Sequence, residues 1–174
     1  MSGLLLPFRN IVPKVGPGAY VANTAVLIGD VELGAEASIW FGVVLRGDVH
    51  HIRVGARTNI QDNSVVHVTE HRFATTIGRD VLIGHGCIIH GCTVEDGAFV
   101  GMGSTVLDGV VVEAGAMVGA GSLVTPGKRV PAGELWSGRP AKLFRKLTDQ
   151  DRAAIKDGVQ HYVDIAKVYL GSKV

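Results

Sequence analysis

The stretch VEDGAFVGMGSTVLDGVVVEAGAMVGAGSLVTPGKRV, residues 94–130, returns to valine at every sixth position: Val94, Val100, Val106, Val112, Val118, Val124 and Val130. A fixed short period marks a repeat architecture and outranks any local reading of helix or strand. Upstream the same period runs through Val15, Val21, Leu27, Leu33, Ile39 and Leu45. After three inserted residues it resumes at Val54, Ile60 and Val66, and after five more at Ile77, Ile83 and Ile89; one residue is dropped before Val94. Two positions before most of these aliphatics stands a small or β-branched residue, such as Ala37, Val43, Ser64, Cys87, Ala98, Ser104, Ala116 or Ser122. In a strand, positions i and i−2 share a face, so both point inward. A six-residue unit that must also turn does not build a flat sheet. Three such units closing a triangular coil do fit, and hexapeptide repeats of this kind signal a β-helix. The reading is therefore an all-β chain with a C-terminal helix: a left-handed parallel β-helix of about six coils, stacked about 4.8 Å apart.

Four segments follow from where the period starts and stops: an N-terminal arm at 1–14, the β-helix at 15–135, a loop at 136–147 and a helix at 148–171 packed on the β-helix. The loop begins in PAGELWSGRPAKLFRKLT, where Pro, Gly and basic residues replace the repeat. Thr148 and Asp151 have the spacing of a capping box, with Asp in place of Glu or Gln. Ile155, Val159, Tyr162, Ala166 and Tyr169 then recur at three and four, the stripe of an amphipathic helix.

Composition narrows the function classes. A formal charge of +1 and 19% charged residues leave no field that would gather nucleic acid or a membrane surface. MSGLLLPFRN lacks the basic start and long apolar run of a secretory signal, so a cytoplasmic protein is expected. Two cysteines are too few for a disulfide framework. Cys87 and Cys92 fall at small inward positions and read as core filling.

Of seven histidines, the repeat places three. His67 follows Val66 and His90 follows Ile89, one coil plus the five-residue insertion later, so the two imidazoles should stand one above the other and point outward. Arg46, after Leu45, falls in the same column. His85 and Asp62 form a second column, each two residues past its aliphatic (Ile83 and Ile60), around a corner from the first. His85 therefore should not reach a metal held by His67 and His90 of its own chain, whereas a threefold assembly would bring a neighbour's His85 to them. Three histidines with an open fourth position match a catalytic zinc arrangement. His50, His51, His71 and His161 have no such register and read as surface residues.

At this point the residues carry a resemblance. RGDVHHIRVGARTNIQDNSVVH, residues 46–67, followed by IGHGCIIHGC, residues 83–92, resembles the γ-class carbonic anhydrase family. SGRPAK at 137–142 and the terminal helix resemble its short, cytoplasmic bacterial members. The resemblance implies a homotrimer with metal sites at the subunit interfaces, Zn2+ (or Fe2+ or Co2+) on His67, His90 and the neighbour's His85, and reversible hydration of carbon dioxide to bicarbonate by a metal-bound hydroxide. It assigns Arg46 and Asp48 to the site wall and interface, Asn59 and Gln61 to orienting the reacting species, and Asp62 to pairing with Arg46. The most active members carry a long acidic loop with a proton-shuttling Glu after the first His; this chain has only VTEHRFATT there. Glu70 becomes the candidate shuttle, with His71 as substitute, and slow or conditional hydration is expected. Two other classes remain open: a hexapeptide acyltransferase using a CoA thioester and one histidine base, and a non-catalytic metal- or siderophore-binding trimer.

Overall fold

The computed structural model describes residues 3–171. The six-residue period becomes a parallel β-solenoid of triangular section. The first face stacks Leu4–Leu6, the first half of Val26–Leu33, the first half of Val44–Val54, then Val65–His67, Ile88–His90, Thr105–Val106 and Leu123–Val124. The second face carries Lys14–Val15, the second halves of the same two long strands, Thr75–Ile77, Thr93–Val94, Val111–Val112 and Arg129–Val130. Because those two strands continue around the corner, faces one and two form a single 12-stranded sheet. The third face stacks seven parallel strands, from Tyr20–Val21 to Glu134–Gly138, which sets about seven turns. The extra turn comes from Glu134–Gly138, where the valine period has already ended but the backbone still pairs with Met117–Val118. The segment 136–147, expected as a loop, holds the end of that strand and the antiparallel strand Ala141–Lys146. The N-terminal arm likewise supplies Leu4–Leu6 to face one.

Strand register turns the sequence period into three interior columns. On face one Leu27, Leu45, Val66, Ile89, Val106 and Val124 lie in line, and all are buried. Parallel columns on the other faces meet this one at the centre and fill the triangle with aliphatic side chains. The small inward residues occupy the corners. Ser64 and Ser104 are buried there, and each hydroxyl donates to a backbone carbonyl, Gly84 O and Gly119 O, both at 3.0 Å. The corner after face two brings backbones together so closely that a Cβ on Gly55 would lie 2.4 Å from the Gly78 carbonyl carbon. Only glycine permits that approach.

The helix Asp149–Gly171 begins at the expected cap. Asp151 N donates to Thr148 Oγ1 at 3.2 Å, and the Asp151 carboxylate accepts from Thr148 N at 2.7 Å. Both Arg145 amino groups also donate to that carboxylate, at 2.6 and 3.0 Å, and these bonds hold Asp151 far below the usual carboxylate range. Ile155, Val159, Val163 and Ala166 form the buried stripe. The helix lies on face three, against the strands at Tyr20, Ser38, Asn59 and Leu82. That face turns aromatic and apolar groups outward: Trp40 meets Tyr162 and Tyr169 edge-on, with centroids 5.4 and 5.5 Å apart. Among the described residues no such cover lies on face one, and its outward Val65 and Ile88 are 42% and 47% exposed.

Candidate metal centre

The stacking that packs Val66 under Ile89 also pairs His67 with His90 in register. Their rings lie 5.1 Å apart, and His67 Nδ1 is 3.1 Å from His90 Nε2. Two donors bound to one tetrahedral ion at about 2.0–2.1 Å are separated by about 3.3 Å, so these nitrogens already stand at nearly the spacing of a shared ligand pair. The other nitrogen of each ring is tied to a carboxylate. His67 Nε2 lies 3.1 Å from Asp48 Oδ1, and His90 Nδ1 lies 2.6 Å from Asp108 Oδ1. His85 follows the same plan, its Nδ1 being 2.8 Å from Asp62 Oδ2. A carboxylate on one imidazole nitrogen keeps the proton there and leaves the opposite lone pair free for a metal. His67 Nδ1, His90 Nε2 and His85 Nε2 are the three nitrogens so prepared.

Charge supports the same state for His67. Burial, with a smaller contribution from the nearby Arg46 guanidinium, outweighs Asp48 and lowers its pKa, which keeps the ring neutral as a ligand must be. Burial pushes Asp48 upward, but hydrogen bonds from Arg46 and His67 prevail and hold it below its ordinary value. Asp108 behaves alike: burial raises it, and Thr69 and His90 together bring it down.

The residues fall into two groups at opposite edges of face one. Arg46, Asp48, His67, His90 and Asp108 occupy one edge. Asn59, Gln61, Asp62 and His85 occupy the corner between faces three and one. Among the described residues no three His, Cys, Asp or Glu donors of one chain are arranged to hold a metal ion; the first edge offers two imidazoles and the second edge one. Within the second group, Gln61 Nε2 donates to Asn59 Oδ1 at 3.0 Å, and both side chains are buried. That bond fixes the amide and leaves the Gln61 carbonyl oxygen free to accept. Within one chain Asp62 engages His85 and Arg46 engages Asp48, whereas the pairing expected from the sequence is between Arg46 and Asp62 of a neighbouring subunit.

Glu70 and His71 stand at the tip of a hairpin closed by Thr69 and Phe73, with Glu70 Oε1 3.6 Å from His71 Nε2 and the His71 ring 87% exposed. His50 and His51, stacked edge-on at 4.7 Å, join His71 and Asp48 around a cavity of about 270 Å3. Cys87 and Cys92 are free, buried thiols, and burial pushes Cys92 up to about 12. They belong to the core. Asp108 escaped the sequence reading. Counting does not reach it: the coil here is one residue short, Ile89 pairing with Val106, so that register sets Leu107 over His90 and Asp108 lies one residue further on.

The family model described as "Bacterial transferase hexapeptide (six repeats)" matches residues 74–106 and 91–126. Gamma carbonic anhydrase 2, mitochondrial, of Arabidopsis thaliana is 52% identical over 90% of the chain, which spans 58% of that relative's length. A carbonic anhydrase of Geobacillus kaustophilus is 42% identical, with 95% of this chain and 91% of that protein covered. The crystal structure of a hexapeptide transferase family protein from Anaplasma phagocytophilum superposes with a TM-score of 0.92 at 49% identity, covering 95% of this chain and 98% of that one. With a gamma carbonic anhydrase 52% identical to it and a carbonic anhydrase aligned along nearly its whole length, the chain belongs to the γ carbonic anhydrase family.

Proposed function

We propose that the protein is a γ-class carbonic anhydrase working as a homotrimer, in which His67 and His90 of one subunit and His85 of the next hold each metal ion. The observation that carries this reading is the 3.1 Å approach of His67 Nδ1 to His90 Nε2, with the opposite nitrogen of each ring held by a carboxylate. The uncovered apolar strip of Val65 and Ile88 lies between the two half-sites. Threefold packing would cover it and bring the His85 corner of one subunit against the His67–His90 edge of the next. Arg46 would then face Asp62 of the neighbouring subunit.

Three neutral imidazoles suit Zn2+, and Fe2+ and Co2+ accept the same donors. When bound, such an ion supplies Lewis acidity that brings the pKa of water to about 7. Gln61, braced by Asn59, accepts a hydrogen bond through its free carbonyl oxygen and orients the attacking group toward carbon dioxide. Arg46 and Asp48 form the wall beside His67 and keep that ring in one tautomer. Glu70, at the exposed hairpin tip, passes the released proton to buffer. The buried free thiols suit a reducing compartment, and we assign the protein to the cytoplasm. Among the described residues no helix is long and apolar enough to cross a membrane.

Stopped-flow hydration of carbon dioxide, with metal content measured on the same sample, tests the reading. Hydration that follows metal occupancy and vanishes in His90→Ala is expected; His85→Ala should lose metal yet keep the solenoid. A fully metallated trimer without turnover would leave a binding role. The likeness to a hexapeptide transferase family protein favours the acyltransferase alternative, which requires turnover of an acyl-CoA by metal-free protein. Carboxylates behind three separate histidines are superfluous to that chemistry.

A further inference from the structure

Asp108 belongs to the coil above His90, since Val106 pairs with Ile89. Its carboxylate is held at both ends. Oδ1 lies 2.6 Å from His90 Nδ1, and Oδ2 accepts a hydrogen bond from Thr69 Oγ1 at 2.7 Å. Thr69 closes the hairpin that separates the two stacked histidines, exchanging backbone bonds with Phe73 at 2.9 and 3.1 Å. Phe73 in turn lies over two glycines: a Cβ at Gly91 would come within 2.9 Å of it, and one at Gly109 within 3.1 Å. At the hairpin's far end Thr75 Oγ1 donates to His67 O at 2.6 Å and accepts from Gly91 N at 2.9 Å. The insertion that breaks the repeat is thus stitched to both histidine strands, and Asp108 is the stitch that reaches an imidazole nitrogen.

A free imidazole exchanges between two neutral tautomers, and only one of them presents a lone pair at Nε2. A carboxylate at Nδ1 selects that tautomer, but a carboxylate with a single partner can rotate away. The Thr69 hydroxyl removes that freedom. We infer that Asp108 is a positioning residue for metal binding: it holds His90 with its proton on Nδ1 and Nε2 turned toward His67, and Thr69 locks Asp108 in that pose. Hairpin 69–73 and the metal site then move as one unit. The inference rests on the metal-site reading above.

The test is Zn2+ affinity of the purified trimer, measured by competition with a chelator, together with 15N chemical shifts of the His90 ring in apo-protein. Asp108→Ala should weaken Zn2+ binding about 10–100-fold and release His90 into a mixture of tautomers. Asp108→Asn, whose amide oxygen still accepts from Nδ1, should keep the tautomer and recover part of the affinity. Thr69→Val should lose affinity by less than Asp108→Ala, and it carries the test should Asp108→Ala not assemble. Wild-type affinity with an unchanged His90 tautomer in Asp108→Ala, or unchanged affinity in Thr69→Val where that variant alone assembles, overturns the inference while the metal site stands. Wild-type protein that takes up no Zn2+, or that keeps it in His90→Ala, overturns the site itself and this inference with it.

Discussion

At the scale of single residues, the site is a set of imidazole–carboxylate pairs whose geometry can be read one contact at a time. His67, His85 and His90 were legible in the sequence because each follows an inward aliphatic by a fixed offset, and in a stacked solenoid an offset is a position. Their partners were less legible. Asp62 shares the column of His85 and engages it, but Asp108 reaches His90 from one residue past the stacked position, through a rotamer, and rotamers have no period. Glu70 makes the separable case. It lies outside both edges of the site, at a solvent-facing tip beside His71. Glu70→Gln should leave metal content unchanged and cut turnover in dilute buffer by about tenfold or more, with recovery in concentrated imidazole. Unchanged turnover in dilute buffer would remove Glu70 from proton transfer.

Elements show where local chemistry suffices and where it does not. The helix start at Thr148 was readable as a cap, and the structure closes it with bonds in both directions between Thr148 and Asp151. Replacing an N-cap threonine with alanine costs about 1 kcal/mol, a shift of about 2–4 °C for a chain of this size. Thr148→Ala should show that loss in thermal melts followed by circular dichroism, with metal content intact because the helix covers face three. A melting temperature equal to wild type would mean the Arg145–Asp151 pairing alone secures the helix start. By contrast, the hairpin of Glu134–Gly138 and Ala141–Lys146 was read as a loop from residue 136 on. Its strands follow no hexapeptide period, and their pairing depends on the last coil offering an open edge.

On the scale of the molecule, the three faces have different fates. Face three is closed by the helix, and face two turns charged and hydroxyl side chains such as Glu32, Arg53, Thr76 and Arg129 outward. Face one leaves Val65 and Ile88 open between the two half-sites. Ile88→Asp would place a charge in the middle of the proposed contact, where burial without a partner is unfavourable. Sedimentation should show the mass falling from trimer to monomer, with metal lost and the β-rich circular dichroism kept. A metallated Ile88→Asp trimer would move the interface to another face.

The sequence by itself determined the solenoid, its three aliphatic columns, the stacking of His67 under His90 and the separation of His85 from them. Each of these follows from a repeat in which every coil copies the one below, so that counting residues measures distance. Only the tertiary structure decided which carboxylates back His67 and His90, which face the helix covers, and how hairpin 69–73 folds back onto Asp108. Those outcomes depend on side-chain rotamers and on the insertions that interrupt the period, and there the local repeat no longer dictates what lies next to what.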